Sequence, residues 1–128
     1  ICLPYTSIKF PKGIEVEYRY DIAPNDFIQL LNGAECVITN SFHATALSVN
    51  LNIPFFVVSS YERNKDLQTR ISDLLEETGL NNRKIYPDTE SICMEEGIDY
   101  ESVNVIISKR RNEGIEYLKH ALECGDTA

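Results

Sequence analysis

Two short apolar runs, Cys36 to Thr39 and Pro54 to Val58, flank a mostly apolar stretch from Phe42 to Asn50. The runs are too short for helices and rich in branched or aromatic residues, so they read as buried strands. The stretch between them is long enough for a helix. Strand, helix and strand in so small a span leave one economical solution, a compact βαβ unit in which the strands lie parallel and the helix crosses one face. This unit commits the chain to a layered α/β fold with a mainly parallel sheet, Rossmann-like in kind.

The rest of the chain adds helices and one further strand signal. Ile14 to Tyr20 alternates apolar and charged residues, the pattern of an edge strand, and Ile1 to Tyr5 reads as the end of another. Pro24 and Asn25 open a helix predicted over Asp26 to Asn32, with Phe27, Leu30 and Leu31 on one side and Gly33 as its stop. Leu67, Ile71, Leu74 and Leu75 recur at helical spacing, with Asp66 as cap and Gly79 as terminator. Residues 81–98 are polar and predict a loop with at most one short strand. A last helix is predicted from Tyr100 to Glu123, capped by Asp99 and weakened at Gly114.

Charge narrows the function classes. The 128 residues carry 12 Lys+Arg against 20 Asp+Glu, a formal net charge of -8, which repels nucleic-acid backbones and anionic membrane surfaces. No apolar run is long enough for a membrane span. Cys2, Cys36, Cys93 and Cys124 are scattered without a C-x-x-C pair, and with only His43 and His120 to add they make a poor zinc set. No resident metal or cofactor is expected. Reduced thiols fit a cytoplasmic protein. The single methionine lies inside the chain, at Met94, so an excised or processed piece of a longer protein is expected. Glycine-rich nucleotide loops of the G-x-G-x-x-G or G-x4-G-K-[ST] kind are absent.

Parallel sheets bind ligands beyond the carboxyl ends of their strands, where loops enter helices. Two such loops are adjacent here. One is Thr39-Asn40-Ser41-Phe42-His43-Ala44; the other runs from Ser59 to Arg70. The pairing brings Asn40, Ser41 and His43 toward Ser59, Ser60, Arg63 and Arg70. Free amides at the start of the Phe42 helix favour an anion, and the arginines complete a site for carboxylate or phosphate. Taken alone, His43 reads as a neutral core ring, Ser41 as a helix cap, and Arg63 and Arg70 equally as solvated surface cations or anion ligands. Thr45 and Ser48 either line the cleft or pack within the helix. The seven tyrosines show no regular spacing with basic residues, which suggests packing. Lys109-Arg110-Arg111 reads as a solvated face or as a contact with a further domain.

The stretch AECVITNSFHATALSVNLNIPFFVV, then Arg63 and Arg70 in an R-x6-R-x3-LL pattern, Gly79-Leu80 and Asn82-Arg83, resembles the C-terminal part of the polysaccharide pyruvyl transferases. Residues 99–122 are similar to that family's closing helix. The family usually has glycine after the histidine; Ala44 stands here, as in other branches. The resemblance implies the C-terminal half of an enzyme with two Rossmann-like domains facing a cleft, similar to the glycosyltransferase B arrangement, with the N-terminal domain outside residues 1–128. It implies transfer of pyruvyl from phosphoenolpyruvate to a sugar of a surface or exported polysaccharide, forming a cyclic ketal. The acceptor is a saccharide or lipid-linked saccharide, and the expected place is the cytoplasm, including the inner face of the membrane.

With the resemblance, His43 becomes the expected general acid or base, and Asn40, Ser41, Arg63 and Arg70 the expected donor-binding residues. A single domain supplies one wall of such a cleft, so residues 1–128 alone are expected to be inactive. Two other readings remain at this stage: half of a nucleotide-sugar-dependent glycosyltransferase, for which Glu62 is the one candidate ribose ligand, and a carbohydrate-binding module without catalysis.

Overall fold

The computed structural model describes Leu3 and residues 12–59, 65–94 and 96–125, with only the backbone described at 65–68, 124 and 125. In chain order the elements are α1 (Pro24–Asn32), β1 (Val37–Thr39), α2 (Phe42–Leu51), β2 (Phe55–Val58), α3 (Lys65–Glu77), a 3-10 turn (Asn81–Arg83), β3 (Lys84–Ile85) and α4 (Tyr100–Gly125). The strands form one parallel sheet in the order β1-β2-β3, with Val37 opposite Phe55 and Val57 opposite Lys84. The parallel α/β layering expected from the two apolar runs is therefore present.

Local chemistry explains the boundaries. Pro24 takes the first position of α1, where a missing N–H costs nothing, and Asp26 accepts from the Ala23 amide at 3.2 Å. The helix ends at Gly33, whose N–H bonds back to the Gln29 carbonyl at 3.0 Å. α2 ends in the left-handed Asn52 (φ 57°), a conformation that asparagine tolerates better than most residues. Gly79, at φ +72° just beyond α3, takes the same left-handed turn with no Cβ to strain it.

Register decides which face is core. Pairing places Val37, Phe55 and Val57 on one side of the sheet. There Phe55 and Val57 join Val49 of α2, Ile71 and Leu75 of α3, Leu80 just before the 3-10 turn, and Val103 of α4 in a single buried cluster. Ile38, Phe56 and Val58 point the other way. Phe56 is buried, with the Arg83 guanidinium 5.3 Å from its ring centroid, while Ile38 and Val58 are exposed.

Several expectations change. Among the described residues, 12–22 form no strand; Tyr18 makes a lone bridge, and Ile14 and Tyr20 are exposed. Alternation fits an extended chain as well as a strand, and the apolar side of this stretch stays outside the core, with Ile14, Tyr18 and Tyr20 exposed. The Ile1 to Tyr5 strand lies outside the described residues, apart from Leu3. α3 is already helical at Lys65, so Asp66 is a residue of the helix and not its cap as its sequence position suggests. Residues 81–98 contain β3, which the sequence allowed as a short strand. Asp99 caps α4 as expected, accepting from Ser102 N at 3.2 Å and Ser102 Oγ at 2.6 Å, and these bonds hold its carboxyl below the usual carboxylate range. α4 runs through Gly114 without a break. Only its first two turns meet the core; Tyr117, Leu118 and Leu122, whose spacing predicts packing, are exposed. Arg110 reaches from α4 to Glu77 at the end of α3, at 2.5 Å, so the basic run is partly an anchor.

Candidate functional site

The carboxyl ends of β1 and β2 carry the loops that the sequence singles out. After Thr39 the chain turns at Asn40 and Ser41. Thr39 Oγ1 accepts from the Ser41 amide at 3.0 Å, Ser41 Oγ accepts from the Ala44 amide at 3.5 Å, and the Ser41 carbonyl takes the Thr45 hydroxyl at 2.8 Å. Ser41 is thus the N-cap of α2. Thr45 and Ser48 are fully buried, with their hydroxyls donated to the Ser41 and Ala44 carbonyls of their own helix. Both are packing residues and line no cleft.

His43 is exposed, one residue into α2, and its ring meets Phe42 edge-on with centroids 6.0 Å apart. A buried core ring is excluded. The apolar run before it ends one turn earlier, and the face of α2 that enters the core is Phe42, Ala44, Thr45, Ser48 and Val49. His43 falls between those positions and looks outward from a helix start, where amides and the dipole present positive potential.

Arg70 comes to the same place from α3. Its guanidinium lies 5.2 Å from the Phe42 ring centroid, and the side chain is exposed. Phe42 therefore stands between a cation and an imidazole, both at the start of α2. Asn40 is exposed on the same loop. Ser59, leaving β2, donates its amide to the Ile85 carbonyl at 2.8 Å, which holds this edge of the sheet together. Arg63, Ser60 and Glu62 lie outside the described residues. Asn40, Ser41, His43 and Arg70 are brought together, with Ser41's hydroxyl engaged as a cap. No group of three or more metal-ligating side chains occurs among the described residues.

Sequence reasoning missed a second polar cluster, at the amino ends of the strands. Arg83 is 3% exposed and donates to the Glu96 and Gly97 carbonyls at 2.6 and 3.0 Å. Tyr100 donates to the Ile53 carbonyl nearby, and burial pushes its phenol up to about 12. Desolvation also raises the half-buried Cys36 thiol, against the opposing pull of Arg83. An arginine before a two-residue strand carries no burial signal of its own; only its place in the family pattern set it apart. The cluster ties the 86–99 segment to the sheet at the edge opposite His43.

No described helix is long and apolar enough to cross a membrane. No curated protein and no solved structure matches the chain. Residues 3–61, which span β1, Asn40, Ser41, His43 and β2, match the family model described as Polysaccharide pyruvyl transferase, and this match supports placing the chain in that family.

Proposed function

We propose that this chain is the C-terminal domain of an enzyme that moves pyruvyl from phosphoenolpyruvate onto two hydroxyls of a saccharide. The observation that carries the reading is the convergence of an exposed histidine, an arginine and the capped N-terminus of α2 at one strand end. An enol pyruvyl donor carries a carboxylate and a phosphate, and its methylene carbon must accept a proton before the adjacent carbon becomes electrophilic. Arg70 and the α2 amides suit the acidic groups. His43 suits the proton.

In this scheme His43 protonates the methylene carbon, which becomes the methyl group. One sugar hydroxyl then attacks the neighbouring oxocarbenium carbon and loses its proton to His43. A second hydroxyl attacks the same carbon as inorganic phosphate departs with the remaining proton, closing the ketal ring. Positive potential at the helix start stabilises the charge that collects on the phosphate. A facing domain would supply the rest of the cleft, so residues 1–128 alone should not turn over. The test is to incubate the complete protein with phosphoenolpyruvate and candidate glycans, following phosphate release and the glycan's mass. Stoichiometric phosphate and pyruvylated glycan support the reading; glycosyl transfer from a nucleotide-sugar in its place would overturn it.

A further inference from the structure

A groove of about 380 Å³ lies beside the first turns of α1, lined by Arg19, Tyr20, Asp21, Asp26 and Gln29, with Ile22 and Leu30 as its apolar residues. Its size falls within the range of small-molecule sites. Tyr18 and Tyr20, two residues apart, bring their rings to the same side. Their rings stack with centroids 6.4 Å apart and planes 11° apart, and Tyr20 is 67% exposed. A large aromatic ring held by a second ring and left open to solvent is a flat apolar platform already ordered before anything lands on it.

The polar lining decides what can land there. Arg19 is tied to Glu17 at 2.7 Å, which offsets its charge. Asp21 remains, together with Asp26, one oxygen of which is held by the Ala23 amide, so the groove disfavours phosphate and carboxylate and is not a second donor site. Two carboxylates and the Gln29 amide instead offer acceptors and donors suited to hydroxyl groups. An aromatic face with such groups at its rim matches a pyranose ring, whose axial C–H face is apolar and whose edge is hydroxylated.

We infer that this groove binds a neutral saccharide. α1 delivers the chain to the amino end of β1, as α2 does to β2, and the two helices pack together, so the groove at the first turns of α1 lies away from that edge. The inference deepens the pyruvyl-transfer reading by naming where part of the acceptor sits, yet it rests on the groove's own chemistry.

The experiment is binding of the complete protein, without phosphoenolpyruvate, to an array of neutral oligosaccharides of glucose, galactose, mannose and N-acetylhexosamines. Tyr20→Ala and Tyr20→Phe are run in parallel, with thermal melts to confirm folding. A subset of glycans should bind, with affinity falling about tenfold in Tyr20→Ala and retained in Tyr20→Phe. The inference is overturned if no glycan on the array binds or if binding ignores Tyr20→Ala. Because donor and product play no part in this readout, its failure would leave pyruvyl transfer standing, and failure of transfer would leave glycan binding standing.

Discussion

The Arg70 guanidinium rests 5.2 Å from the centroid of the Phe42 ring, so a residue of α3 is held over the first residue of α2. That contact aims an exposed cation at the helix start that also bears His43. Arg70→Ala is expected to weaken phosphoenolpyruvate binding by roughly 10- to 100-fold, the range for one lost charge-assisted hydrogen bond pair. Phe42→Leu keeps the charge but removes its platform, an effect of a few-fold. Calorimetric titration of the complete protein measures both, and donor affinity unchanged in Arg70→Ala would remove Arg70 from the site.

In the proposed scheme His43 stands in a different relation to the donor, because a proton transfer acts in the transition state rather than in binding. Replacing it with glutamine should lower kcat by about 10² to 10⁴ while phosphoenolpyruvate affinity changes little. Equal losses in binding and turnover would point instead to a positioning role. Wild-type turnover in His43→Gln would eliminate the assignment.

The sheet, α2 and the Ser41 cap were legible because short buried strands and a capped helix leave local signatures in residue type and spacing. The outward direction of His43 was not. Its neighbours Phe42 and Ala44 are apolar, and only the packed structure shows that the buried face of α2 skips position 43. Exposure along α4 was illegible for a related reason. Leu118 and Leu122 keep helical spacing whether or not anything lies against them, and spacing reports a face without its partner. Tyr18 and Tyr20 read as packing residues among the seven tyrosines; their rings stack on each other while Tyr20 stays open to solvent, a pairing that spacing alone does not report.

Arg83 carries a structural prediction. Its guanidinium is buried, spans the Glu96 and Gly97 carbonyls and lies over Phe56. Arg83→Met should fill much of the volume but leave both carbonyls unpaired, costing about 2 to 4 kcal/mol in urea denaturation. Arg83→Lys retains the charge without the planar fork and should fall between the two. A loss under about 0.5 kcal/mol for Arg83→Met, the size of an ordinary surface change, would mean that the 86–99 segment is held by other contacts.

Tyr100 gives the fold an alkaline limit. Burial raises its phenol from an ordinary value of 10 to about 12, so the folded protein favours the neutral form that donates to the Ile53 carbonyl. The sign follows from that preference: the contribution is complete below pH 10 and is lost as pH rises from 10 to 12. Two pH units correspond to at most about 2.7 kcal/mol, and the ring is only half buried, which brings the expected contribution to about 1 to 2 kcal/mol. Tyr100→Phe removes the ionisable group together with one hydrogen bond, costing about 1 kcal/mol at neutral pH. The stability gap between wild type and Tyr100→Phe should therefore narrow and then reverse as pH climbs past 10. Cys36, whose thiol is also raised by burial, titrates in both proteins, and its thiolate adds to the rise of Tyr100, so the difference reports Tyr100 together with that coupling. Denaturant melts of the pair from pH 8 to 12 measure the gap, and a constant gap across that range would show that Tyr100 ionises as freely in the folded chain as in the unfolded one.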